Sequence, residues 1–235
     1  MHQIIDKVRE ELLRRSDEQA KASALRFFKE EIKLYGLKTP DTYRIAKEFY
    51  TILEDKSRKN IFSLCEELWK SGFIEESMIA CEWSYKIHKE YKPKDFEIFN
   101  RWVNNYVNNW ASCDTLCNHS VGTFIQMYPE YISELKKWAL SLNRWVKRAS
   151  SVTLIIPARN GLFLNDIIEI AGILHSDKDD MVQKGYGWML KASSQSHQEE
   201  IFRYIMKVKA TMPRTSLRYA IEKMPAELKA KAMAK

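Results

Sequence analysis

Apolar residues recur along this chain at three- and four-residue spacing, interrupted by short polar stretches in which the few glycines and prolines collect. That period places one buried stripe along each helix, and few stretches alternate as strands do. The pattern predicts helices over 2–15, 17–34, 41–54, 57–71, 74–90, 95–107, 112–127, 129–142, 144–156, 162–175, 178–193, 197–208 and 213–225. Several starts carry a physical signal: Pro40-Asp41, Pro93 before Lys94-Asp95, Ser112 two residues before Asp114, Pro129-Glu130, and Ser176-Asp177. A hydroxyl or carboxylate there meets the orphan N–H groups of a first turn, where a proline costs no hydrogen bond. Helices joined by short links pack as antiparallel neighbours. Pairs recurring at about 35–40 residues form an all-α helical-repeat superhelix, each pair burying its face against the next.

The repeat is visible in the residues themselves. Val146-Lys147-Arg148-Ala149 returns as Val182-Gln183-Lys184-Gly185, and Leu217-Arg218-Tyr219-Ala220 lies one further period along. Small residues at 149, 185 and 220 let helices approach closely. Arg148, Lys184 and Arg218 are then expected to project from equivalent places on successive units. A lone lysine or arginine on a helix is ordinary solvated surface, whereas a periodic set makes a stripe that suits the phosphates of a duplex. One segment, Val152 to Leu164, is β-branched and contains Asn160-Gly161, a hairpin signal. A helix ending before Pro157, with a turn at Asn160-Gly161, is the expectation preferred over that hairpin.

Composition narrows the partners. The chain has 235 residues and a formal net charge of +7, which makes a polyanion the first partner to consider. It is read as one continuous domain over 1–235 and as a monomer. No apolar run approaches the ~20 residues that span a bilayer, and the amphipathic, mixed-charge start is unlike a signal peptide. No membrane contact and a cytoplasmic location are therefore expected. Cys65, Cys81, Cys113 and Cys117 form no C-x-x-C pair and are read as reduced thiols.

Unusual residue types concentrate between Asn108 and His119. As structure, Ser112 caps a helix and Asp114 occupies its first turn, where the helix dipole favours a carboxylate. Cys113, Cys117 and His119 lie close together, but their spacing is wrong for a zinc site and the chain has no second ligand cluster, so no metal is expected. A cysteine nucleophile lacks a histidine marked as its base.

Trp110 four residues before Asp114, Arg148 following Trp145-Val146-Lys147, and Gln183-Lys184-Gly185-Tyr186-Gly187-Trp188 together resemble the HEAT-like-repeat alkylpurine DNA glycosylases, the AlkD family. Tyr35-Gly36-Leu37-Lys38-Thr39-Pro40 and the stretch from Met212 to Glu222 share the likeness, which covers nearly the whole chain. The resemblance implies a HEAT-like or ARM-type superhelix with a concave basic groove, and double-stranded DNA bearing cationic alkylated purines such as 3-methyladenine and 7-methylguanine as substrate. It implies that Asp114 is the catalytic carboxylate, that Trp110 and Trp188 flank the damaged nucleotide, and that Arg148 holds a phosphate. Lys184, Arg214 and Arg218 are expected to face DNA, as is Phe27, which stands where the family has a tyrosine. No metal or organic cofactor is implied, nor a tight pocket around a flipped base.

A cationic purine is already a good leaving group, so one preorganised carboxylate suffices to stabilise an oxocarbenium-like sugar and orient water. Two indoles suit a cation through their faces. The chain departs from the family pattern at Trp110-Ala111-Ser112, where a further tryptophan and an acidic neighbour are missing, and at Phe27. Relatives that keep the fold without excision prefer branched DNA, which makes a non-catalytic binder of branched or damaged DNA the alternative reading. A protein-interaction solenoid is the third, and the basic charge disfavours it.

Overall fold

The computed structural model of the chain describes residues 2–234, whose regular elements are helices, with one isolated bridge between Lys33 and Phe73 and no strand among the described residues. The chain divides between Leu116 and Cys117 into two compact units.

The first unit contains α1 (His2–Arg14), α2 (Glu18–Leu25), α3 (Thr39–Thr51), α4 (Arg58–Lys70), α5 (Ile74–Lys86), α6 (Phe96–Asn105) and α7 (Trp110–Leu116). One layer is a stack in which α1 packs on α3, α3 on α5, and α5 on α7; α4 covers α1 and α5 and meets α6. The apolar spacing explains the layers: α4 buries Ile61, Leu64, Cys65 and Leu68, a single stripe at helical period. Central α5 is enclosed on several sides, and its fully buried Trp83 donates its indole N–H to the Ala46 carbonyl at 2.8 Å. Phe62, Tyr91, Phe99 and Trp102 form an aromatic cluster beside it.

The helix expected over 17–34 ends at Leu25. Beyond it the backbone finds partners in α5 rather than in its own turns: the Lys33 carbonyl accepts from Ile74, and the N–H groups of Tyr35, Gly36 and Leu37 donate to the Glu75 carboxylate. A buried acceptor on α5, 40 residues along the chain from Tyr35, thus satisfies donors that have no partner in a helical turn.

The second unit contains α8 (Gly122–Met127), α9 (Ile132–Ala139), α10 (Arg144–Val152), α11 (Ile155–Arg159), α12 (Leu164–Leu174), α13 (Asp180–Ser193), α14 (Gln198–Val208), α15 (Arg214–Ile221) and α16 (Ala226–Met233). It too has two layers: α10, α13 and α15 stack in that order, and α9, α12, α14 and α16 accompany them. Alternate helices stacking in each unit make this an all-α helical-repeat fold. Helix α16, which follows Pro225, was not anticipated by the sequence pattern.

No hairpin forms over 152–164. Helix α11 runs through Pro157 instead of ending before it, because the proline falls in the first turn, where its missing N–H has no intrahelical partner to lose. The turn at Asn160-Gly161 is present, with Gly161 at φ +78°.

Candidate functional site

Helix α7 carries the first pair of candidates. The Asn109 side-chain oxygen accepts the Ser112 N–H at 2.9 Å, so Asn109 caps this helix, not Ser112. The helix begins at Trp110, which moves Asp114 from the expected first turn into the second. Ala111, Ser112, Cys113 and Leu116 are buried, leaving Trp110 and Asp114 partly exposed one turn apart. Both line a cavity of about 750 Å³, together with α2 and the loop preceding α3.

Phe28 stacks on Trp110, with ring centroids 5.3 Å apart and planes inclined by 15°. The Trp110 indole N–H donates to the Phe27 carbonyl at 3.4 Å. Phe27 lies in the turn after α2 and is 75% exposed on the lining of the same cavity. Neither Phe28 nor Asn109 was singled out by sequence. Phe28 sits where helical periodicity stops, and Asn109 is one of two adjacent asparagines whose capping role depends on which begins the turn.

The opposite wall is held by two consecutive carboxylates of α5. Glu75 accepts from the backbone of Tyr35 at 3.1 Å, Gly36 at 2.9 Å and Leu37 at 3.1 Å. Glu76, with its side chain 1% exposed, accepts the Tyr35 hydroxyl at 2.7 Å and pairs with Arg9 at 3.1 Å. Burial and the adjacent Glu76 carboxylate push the Tyr35 hydroxyl well above its usual pKa, which keeps it a donor. Gly36 adopts φ +99°, and a Cβ there would meet the Asp17 carbonyl at 2.4 Å. The stretch from Tyr35 to Pro40 is therefore a structural clamp. Its signal in the sequence is the pair Glu75-Glu76 just before the apolar run Met78-Ile79-Ala80-Cys81.

The remaining candidates lie on α10, α13 and α15 of the second unit. The close approach expected at position 185 is present: a Cβ on Gly185 would meet the Ser151 hydroxyl oxygen at 2.9 Å and the Arg148 side chain at 3.3 Å. The expectation that Arg148, Lys184 and Arg218 project alike is corrected. Arg148 is 5% exposed, lies across Gly185, and donates from Nη1 to the Met181 carbonyl of α13. Close packing against a glycine turns this cation inward. Lys184 is half-buried and tied to Asp180 at 2.7 Å, one turn earlier on α13. Trp188, one turn after Lys184, is partly exposed. Arg214 and Arg218 on α15 are exposed and make no ion pair or side-chain hydrogen bond among the described residues.

Cys65, Cys81, Cys113 and Cys117 are buried thiols that form no disulfide, and burial pushes the Cys65 thiol far above its ordinary pKa. Among the described residues, no cluster of histidine, cysteine and carboxylate side chains could hold a metal ion, and no helix is long and apolar enough to cross a membrane.

No curated protein sequence matches the chain. Its fold is similar to that of a solved structure described as a predicted DNA alkylation repair enzyme from Enterococcus faecalis, with a TM-score of 0.77 at 12% identity, covering 90% of this chain and 97% of that one. The family model for DNA alkylation repair enzymes matches residues 8–224, spanning both units and every candidate named above. The chain therefore belongs to the DNA alkylation repair enzyme family.

Proposed function

We propose that the protein is a monofunctional DNA glycosylase releasing cationic alkylated purines, such as 3-methyladenine and 7-methylguanine, from double-stranded DNA. The observation that carries this reading is the placement of Asp114 and Trp110 one turn apart on α7, both lining the same cavity. The C1′–N bond of the damaged nucleotide breaks with its electron pair leaving on the purine, which departs neutral. The sugar becomes oxocarbenium-like, and the Asp114 carboxylate stabilises that charge. A water oxygen then bonds to C1′ and loses a proton to Asp114 or to solvent. A preorganised charge of this kind contributes roughly 10²–10³ in rate. The face of Trp110 would meet the cationic nucleotide.

Exposed Arg214 and Arg218 are assigned to backbone phosphates, with Lys184 joining them by exchanging Asp180 for DNA. Arg148, buried against Gly185, acts as a positioning residue: its bond to Met181 holds α13, and with it Trp188, against α10. The test is release of 7-methylguanine from methylated duplex. Wild-type protein should liberate the base and Asp114→Asn should not; no release above the Asp114→Asn control would overturn the enzymatic reading.

A second reading, a non-catalytic binder of branched DNA, is favoured by buried Ala111, which leaves no second carboxylate beside Asp114 on that face of α7, and by the apolar ring at Phe27. It predicts tighter binding to four-way junctions than to linear duplex, and equal affinities would remove it.

A further inference from the structure

The positive charge of the chain gathers over its last helices. Residues 207–235 contain eight lysines and arginines against two glutamates, a net +6 in a chain of +7. Exposed Arg214 and Arg218 stand one turn apart on α15, and the next position of that stripe carries a carboxylate, Glu222. Glu222 accepts from the Lys191 ammonium of α13 at 2.9 Å. Lys191 ends a second stripe, with Trp188 and Lys184 preceding it by one turn each on α13. The hydrogen bond from Lys191, then the charges of Lys191, Lys223 and Lys229, hold the Glu222 carboxyl below its ordinary range. Three ammoniums thus act on one carboxylate where α15 packs on α13 and α16.

These groups differ in how firmly they are held. The Lys191 side chain is 16% exposed and its ammonium lies 5.4 Å from the centre of the Tyr219 ring, so packing keeps this cation in place without help from the carboxylate. Glu222 is half-exposed and follows the last turn of α15, where the helix dipole disfavours a negative charge. It is held by the lysines, and another anion can take its position. Helix α16, which carries Lys229, is itself fixed: the Lys209 ammonium donates to the Lys231 and Ala234 carbonyls at 3.1 and 2.9 Å, closing the last turn, and Ala232 is buried. A phosphodiester, like a carboxylate, spreads one negative charge over two oxygens. On a duplex it arrives with neighbours for Arg218 and Arg214, and its binding releases condensed counterions.

We propose that Lys191, Lys223 and Lys229 form a backbone-phosphate site that extends the DNA interface past Arg218 to α16, and that Glu222 is an internal stand-in for the phosphate, displaced when duplex binds. The proposal rests on DNA being the partner but not on base excision, so its test uses undamaged duplex. Fluorescence anisotropy of a labelled duplex, titrated over a series of salt concentrations, gives the affinity and its salt slope. Glu222→Gln should bind roughly two- to fivefold more tightly than wild type, a gain that misfolding cannot produce. Lys223→Gln combined with Lys229→Gln should make the salt slope shallower by about one unit. Lys231 is exposed two positions after Lys229, on the other side of α16, and Lys231→Gln should change the slope less. An affinity of Glu222→Gln no higher than that of wild type, or a slope unchanged in the double variant, would overturn the site. Equal changes from Lys229→Gln and Lys231→Gln would reduce the cluster to diffuse charge and overturn it as well. Base release by wild type with neither effect would remove this site and leave the glycosylase reading standing; both effects without base release would support the site and count against excision.

Discussion

The Glu75 carboxylate accepts the backbone N–H of Gly36 at 2.9 Å, and that glycine adopts a left-handed conformation at φ +99°. The two residues lock the loop before α3 onto the head of α5. Gly36→Ala would strain the backbone and drive a Cβ against the Asp17 carbonyl, so a loss of about 2–4 kcal/mol is expected. Glu75→Ala strands three N–H groups and should cost at least about 3 kcal/mol, with Glu75→Gln retaining part of the contact. Urea unfolding of the three variants measures this, and unchanged midpoints would refute the clamp.

A second prediction concerns the packing of α13 on α15. A Cβ on Gly187 would lie 2.7 Å from Tyr219 Cβ and 2.8 Å from the Ser216 carbonyl oxygen, neither of which can swing aside. Gly187→Ala should therefore destabilise by about 2–3 kcal/mol. Gly172 on α12 has open space around it, so Gly172→Ala should stabilise by about 0.5–1 kcal/mol through helix propensity alone. Opposite shifts of the thermal midpoint are the expected result.

If Arg214 and Arg218 neutralise phosphates, the logarithm of duplex affinity plotted against that of salt concentration should become shallower by about one unit for each alanine substitution. Arg148→Ala should behave differently, lowering the melting midpoint because it removes a buried strut. A salt slope unaltered by Arg214→Ala and Arg218→Ala would exclude α15 from the interface.

The fourth prediction is a pH dependence. Burial alone would raise the Glu66 pKa, but hydrogen bonds from Arg101 at 2.9 Å, the Tyr106 hydroxyl at 2.7 Å and the Trp102 indole at 2.6 Å outweigh it and leave the carboxyl below its ordinary 4.5. A carboxyl more acidic in the folded chain than in the unfolded one adds stability above its unfolded value, and that contribution is lost as pH falls through the folded value. Denaturation midpoints should thus decline with acidification below the ordinary glutamate range, and Glu66→Gln should decline less steeply across the same interval.

Helical period and the placement of proline and glycine were enough to read an all-α repeat; the recurrence of Arg148, Lys184 and Arg218 marked α10, α13 and α15, and the family resemblance at Trp110 and Asp114 marked α7. Those features are local: a helix announces its buried face within two turns, and a motif keeps its spacing wherever the helix lies. The end of α2 at Leu25, the cap at Asn109 and the inward turn of Arg148 were not legible, since each depends on a partner distant in the chain or on a choice between adjacent residues.

The sequence by itself determined most of the helices and which residue types stand one turn apart on them, because backbone hydrogen bonding and side-chain period act over a few residues. Tertiary structure alone decided that Glu75 closes a loop forty positions away, that Phe28 covers Trp110, and that an aromatic-lined cavity opens beside α7. Burial, close packing and local charge arise only when distant segments meet, and no window of sequence contains both partners.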